Sequence, residues 1–262
     1  MIDFNRKKGF VCDMDGVIFH GDCLLPGAKE FSRWLISADK QFLFLTNSSQ
    51  RSPRQLRDRL GSMGIDIQED NFYTSALATA DFLSRQLPGA KAYVIGEYGL
   101  TTALQEAGLV MDDRKPDYVV VGETQGYNFE KITRAINLVL KGARLIGTNP
   151  DTTGPSEEGV VPGTGAIIAP IEKATERRAY FIGKPNPLIM RHSLKRLGCR
   201  REETVIIGDR MDTDVIAGIE SEIATVLVLS GVTGREDILR FPYRPDLMLE
   251  GVGDILTAAA TS

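Results

Sequence analysis

The chain has 262 residues, 42% of them apolar and 25% charged, with a net charge of −4. That length holds one large domain or two modest ones around a real core, and the acidic balance lacks the basic excess that nucleic-acid binders carry. Three cysteines (Cys12, Cys23, Cys199) and two histidines (His20, His192) exclude a disulfide framework and are too few for a zinc cluster.

The apolar runs fall short of the roughly 18 residues that a membrane span needs. The first of them stops after four residues at Asp13, too early for a signal peptide. No membrane association is therefore expected, and a reduced cytoplasm is the expected compartment. The basic clusters Arg6-Lys7-Lys8, Arg177-Arg178 and Arg200-Arg201 are short and read as solvated surface.

Short apolar, β-branched runs alternate with helical patterns along the whole chain. A strand at Phe10–Cys12 is followed by a helix at Ala28–Ser37, a strand at Phe42–Leu45 and a helix at Pro53–Met63. A helix at Ala76–Gln86 precedes strands at Tyr93–Ile95, Tyr118–Val121 and Leu145–Ile146, with helices at Thr101–Ala107 and Phe129–Lys141 between them. Strands at Tyr180–Ile182, Val205–Ile207 and Thr225–Leu229 alternate with helices at Pro187–Leu197 and Thr213–Ile219. Runs that are apolar on consecutive residues mark strands buried on both faces, and the alternation predicts an α/β fold with mainly parallel sheet. The stretch Asn149–Gly165, rich in turn formers, reads as one long functional loop.

In parallel sheets, ligands gather beyond the carboxyl ends of the strands, so the residues just after each run carry information. Asp13 and Asp15 follow the first run, and Thr46-Asn47-Ser48-Ser49 follow Phe42–Leu45. Gly183-Lys184-Pro185 follow Tyr180–Ile182; Gly208-Asp209 follow Val205–Ile207, with Asp212 and Asp214 close behind. If the four strands are neighbours, their tips bring carboxylates, hydroxyls and one ammonium into one crevice. Each piece alone also suits a turn or a helix cap. Together they make a set suited to phosphoryl transfer: a carboxylate nucleophile, carboxylates for a Mg²⁺ ion, a hydroxyl and a lysine for the phosphoryl oxygens, and a second carboxyl for proton transfer.

These segments resemble the haloacid dehalogenase superfamily of phosphohydrolases. Asp13-Met14-Asp15-Gly16-Val17, Leu45-Thr46-Asn47, Gly183-Lys184-Pro185 and Gly208 through Asp214 look like its four motifs in order. Pro26-Gly27-Ala28, Phe72-Tyr73-Thr74-Ser75, Val121-Gly122-Glu123, Thr148-Asn149-Pro150-Asp151 and Pro162-Gly163-Thr164-Gly165 narrow the resemblance to the NagD-like branch. The resemblance covers nearly the whole chain. It implies a Rossmann-like three-layer core from residues 1–77 and 179–262, and an inserted α/β cap of about 100 residues at 78–178 that selects the substrate.

The resemblance also implies roles. Asp13 is the nucleophile, forming an aspartyl-phosphate, and a Mg²⁺ ligand. Asp15 is the general acid and base, with its backbone carbonyl on the metal, and Asp209 is the third protein ligand. Thr46, Asn47 and Lys184 hold the phosphoryl group, and Asp214 supports the metal waters or Lys184 from behind. Asn149, Asp151 and the loop to Gly165 are the cap's candidates for reading the leaving group; Glu123 reads as structural and Asp212 as a solvated carboxylate.

The expected substrate is a small phosphorylated metabolite: a sugar phosphate, glycerol phosphate or nucleoside monophosphate. Vitamin-B6 phosphatases of this branch carry a histidine before the proline that here is Pro155. Gly154 precedes it, and no histidine lies anywhere in 21–191, which counts against pyridoxal phosphate. Glu157 and Glu158 would disfavour strongly anionic leaving groups if they face the site. A homodimer formed through the cap is what relatives suggest, without a separate signal in the sequence. Two alternatives stay open: a phosphotransferase or phosphomutase using the same intermediate, and a non-catalytic module that accepts phosphate on Asp13.

Overall fold

The computed structural model describes residues 2–156 and 159–260. They form two compact units: residues up to Thr46 with Leu56–Tyr73 and Lys184 onward, and Asn47–Gln55 with Thr74–Gly183.

The first unit is built on a six-stranded sheet, ordered Leu247–Leu249, Ala224–Val228, Thr204–Gly208, Gly9–Cys12, Gln41–Thr46, Phe72–Thr74. The Gly9–Cys12 strand pairs in parallel on both sides, Phe10 facing Val205 and Phe42, and Cys12 facing Ile207 and Phe44. Every residue of Gly9–Cys12 and Thr204–Gly208 is buried, which is why these runs are apolar but for Thr204 at the start of the second.

Alternate residues serve opposite faces. Phe10, Cys12, Phe42, Phe44, Val205 and Ile207 pack with Phe31, Leu35, Leu56, Leu60 and Ile255 from the helices Ala28–Ser37, Pro53–Ser62 and Asp254–Ala260. Across the sheet, the helices Pro187–Leu197 and Ile216–Glu220 pack against the strands and each other. The result is a three-layer α/β core.

The Pro187–Leu197 helix is fixed at both ends by local chemistry. The Asn186 side chain accepts from Leu188 N, proline takes the first helical position and Gly198 closes the helix in a left-handed conformation. The start of this helix anchors the backbone just beyond Lys184.

The second unit has its own five-stranded parallel sheet, ordered Tyr180–Phe181, Arg144–Gly147, Tyr118–Val121, Lys91–Ile95, Val110–Met111. Val119, Val121, Ile95 and Leu145 pack on Ala135, Leu138, Ile167, Ile168 and Ile171 from the helices Phe129–Leu140 and Thr164–Thr175.

Three expectations are corrected. The Tyr180–Phe181 strand pairs with Arg144–Gly147 in the second sheet, so it is no neighbour of the Asp13 strand, and Lys184 enters the core by the segment that follows it. The supposed loop Asn149–Gly165 contains an antiparallel pair, Thr153–Ser156 with Gly159–Pro162. The helix Thr164–Thr175 was hidden by its internal Pro170. Among the described residues no helix is long and apolar enough to cross a membrane; Glu157 and Glu158 lie outside them.

Candidate active site

Asp13 emerges directly from the central strand, its backbone N–H donating to Ile207 O at 2.8 Å. Gly16, with φ of 76°, turns the chain back so that its N–H donates to Phe19 O at 2.9 Å, a conformation that favours glycine. Half-buried Asp15 sits at the start of this turn, bridged to Phe19. Thr46 ends the adjacent strand, two residues past Phe44, the partner of Cys12.

Lys184 is completely enclosed. Its Nζ lies 2.8 Å from Asp13 Oδ1 and 2.7 Å from Asp214 Oδ1, and donates to Leu45 O at 3.2 Å. Burial alone would lower the lysine pKa, but the two carboxylates outweigh it and raise it, so the ammonium stays charged. Asp214 Oδ2 accepts from Arg210 N at 3.2 Å and Thr213 Oγ1 at 3.4 Å. Any side chain at Gly208 would overlap Asp214, which accounts for the glycine preceding Asp209.

Carboxylate oxygens of Asp13, Asp209 and Asp214 come within 4.8 Å of one another. Burial, then Asp214 and Asp209, hold the Asp13 pKa well above the usual carboxylate range despite the opposing pull of Lys184. Burial and Asp214 likewise push Asp209 up to about 7. Asp209 Oδ2 accepts from Val232 N at 2.7 Å, whereas Oδ1 is buried without a hydrogen-bond partner among the described residues. Three buried carboxylates facing one ammonium, with an orphaned acceptor among them, suit a hard divalent cation that takes oxygen ligands. Asp212 stands apart, half-exposed and paired through both oxygens with Arg210 at 3.0 and 2.9 Å.

The second unit gathers Asn47, Asn149, Asp151 and Glu123 into one network. Asn149 Nδ2 donates to Asn47 O at 2.7 Å and Glu123 Oε1 at 3.3 Å, and Asn47 Nδ2 donates to Asp151 Oδ2 at 3.0 Å. Ser49 donates to Glu123 Oε2 from its N–H at 2.7 Å and its hydroxyl at 3.1 Å. Asn149 is fully buried. Burial pushes Glu123 up to about 7, with Asp151 adding to it and the Ser49 donors opposing. The sequence alone assigns Ser49 no role of its own; its hydroxyl in the Thr46-Asn47-Ser48-Ser49 stretch beyond the strand was the available signal. The rule that found the other residues, applied to Thr225–Leu229, points at Ser230-Gly231-Val232, whose Val232 N–H holds Asp209.

A haloacid dehalogenase-like hydrolase model matches residues 10–110, and a HAD-hydrolase-like model matches residues 181–255. The chain belongs to the haloacid dehalogenase-like hydrolases, in the NagD-like branch of phosphatases. It is 48% identical to a dihydroxyacetone phosphatase of Corynebacterium glutamicum, over 94% of this chain and 90% of that one. It is 43% identical to the ribonucleotide monophosphatase NagD of Escherichia coli, over 95% and 98%. A 4-nitrophenylphosphatase structure from Thermotoga maritima, 34% identical, superposes with a TM-score of 0.94 over 99% of this chain and 100% of that one.

Proposed function

We propose that this phosphoric monoester hydrolase removes phosphate from small metabolites through an aspartyl-phosphate on Asp13, with Mg²⁺ as cofactor. The observation that carries the reading is the orphaned Asp209 Oδ1 beside an Asp13 carboxylate held by Lys184. Asp13 and Asp209 would hold the cation, with the Asp15 carbonyl. Once bound, Mg²⁺ supplies the positive charge that keeps these carboxylates ionised and offsets repulsion between nucleophile and phosphate.

In the first half-reaction Asp13 Oδ attacks phosphorus and the bond to the ester oxygen breaks. Asp15 gives its proton to the departing alkoxide. In the second, Asp15 takes a proton from water, the water oxygen bonds to phosphorus, and the Asp13–phosphorus bond breaks to release phosphate. Lys184 and Thr46 hold the phosphoryl oxygens, over which the transition-state charge spreads. Asp214 keeps the ammonium in place. Asn47 and Asp151 contribute to substrate binding, and Asn149, being buried, acts through Asn47.

We assign the choice of leaving group to the second unit, in the role of a cap. Two of the named relatives are a dihydroxyacetone phosphatase and a ribonucleotide monophosphatase, so both substrate classes, with other sugar phosphates, are the candidates here. Free Cys12, Cys23 and Cys199 suit a cytoplasmic setting, and pairing of two copies through the cap belongs to the same proposal. The test is Asp13→Asn, with phosphate release measured from p-nitrophenyl phosphate and a panel of monoesters. Loss of turnover with an unchanged circular-dichroism spectrum is expected, as is loss of wild-type activity in EDTA. Turnover that survives either treatment overturns the mechanism.

A further inference from the structure

Asp209 is gripped from a side that the four motifs do not contain. The loop after the Ala224–Val228 strand runs across its carboxylate. Val232 N–H donates to Asp209 Oδ2 at 2.7 Å, and Thr233 N–H donates to the Asp209 backbone carbonyl at 3.1 Å. Thr233 Oγ1 accepts from Met211 N at 3.3 Å, tying the loop to the segment beyond Asp209. Ser230 Oγ donates to Gly16 O at 2.7 Å, tying the same loop to the Asp15-Gly16 turn.

The carboxylate also lies in a slot between two glycines. A methyl group on Gly16 would come within 2.8 Å of Asp209 Cγ, and one on Gly231 within 2.6 Å of Asp209 Cβ. Rotation of the carboxylate alone cannot relieve a clash at Cβ, so either Asp209 or the loop must move. The Val232 bond takes up Oδ2 and the slot restrains the carboxylate, while Oδ1 has no hydrogen-bond partner among the described residues and the carboxylate lies with those of Asp13 and Asp214.

We infer that Ser230–Thr233 is a positioning clamp for the cation site, and that Gly231 and Ser230 set Mg²⁺ affinity without touching the ion. The inference rests on the reading of Asp209 as a Mg²⁺ ligand. Groups that orient a metal ligand from behind commonly govern affinity by 10- to 100-fold. Gly231 lies outside the left-handed region, so alanine adds bulk there without backbone strain.

The test is calorimetric titration of Mg²⁺, without substrate, into wild type, G231A and S230A, with thermal melts to establish folding. G231A should bind at least about tenfold more weakly. S230A should bind about fivefold more weakly, as expected for loss of one neutral hydrogen bond; it deletes a single hydroxyl and decides the matter should G231A melt early. Folded variants with wild-type Mg²⁺ affinity overturn the clamp alone. Wild-type protein that binds no Mg²⁺ overturns the cation reading and the clamp with it.

Discussion

Replacing Lys184 with methionine removes the ammonium from a pocket that holds the carboxylates of Asp13, Asp209 and Asp214. Methionine keeps most of the side-chain volume, so packing changes little and the charge effect stands out. The Nζ contacts at 2.8 Å to Asp13 and 2.7 Å to Asp214 are each worth about 6 kcal/mol of attraction at an effective dielectric of about 20. Most of that is offset by the cost of taking the charges out of water. The net loss on removing one partner of a buried pair is about 3–5 kcal/mol.

The loss should depend on pH, and its sign is fixed. Burial already raises the Asp13 pKa and lifts Asp209 to about 7. Without Lys184 both rise further above their unfolded values. A carboxyl raised in the folded state contributes stability below its unfolded pKa and loses it as pH climbs through the folded one. The gap between K184M and wild type should therefore be widest near pH 8 and shrink toward pH 5, where protons take the place of the ammonium. Urea unfolding in EDTA at the two pH values measures it. A K184M protein within about 1 kcal/mol of wild type at pH 8, or a gap that widens in acid, refutes the electrostatic account of Lys184.

Why some of this was readable from sequence and some was not follows from range. Asp13, Thr46 and Asp209 sit immediately beyond or at the ends of buried strands, and parallel pairing of those strands brings their tips together without help from distant residues. Lys184 follows an apolar run as well, but that run joins the other sheet. Its position was legible from the motif and not from the strand, because a periodic pattern carries no information on which sheet a strand enters. The short edge strands Phe72–Thr74 and Leu247–Leu249 were missed because three residues show no period. Gly231 and Val232 act through the absence of a side chain and a backbone N–H group, which leave no mark in residue chemistry.

The remaining predictions concern the two carboxyls with proton business. D15N should lose about 10²–10⁴ in turnover of an alkyl phosphate, whose leaving group needs a proton, yet release a burst of nitrophenolate stoichiometric with enzyme from p-nitrophenyl phosphate. Equal loss of both bond-breaking steps would exclude Asp15 as the acid. Glu123 titrates at about 7 in the folded chain against an ordinary 4.5, so folding takes up a proton between those values. Its contribution is fully present below about pH 4.5 and lost as pH rises through 7, by up to about 3.4 kcal/mol for the whole shift; because Glu123 is only partly shielded from solvent, about 2 kcal/mol is the working figure. E123Q keeps an acceptor for Ser49 and cannot ionise, so its urea midpoint should fall less than that of wild type from pH 5.5 to 8, the remaining slope coming from Asp13 and Asp209. Parallel pH profiles for the two proteins would show that the Glu123 carboxyl is already ionised at pH 5.5, and that the Ser49 donors outweigh its burial.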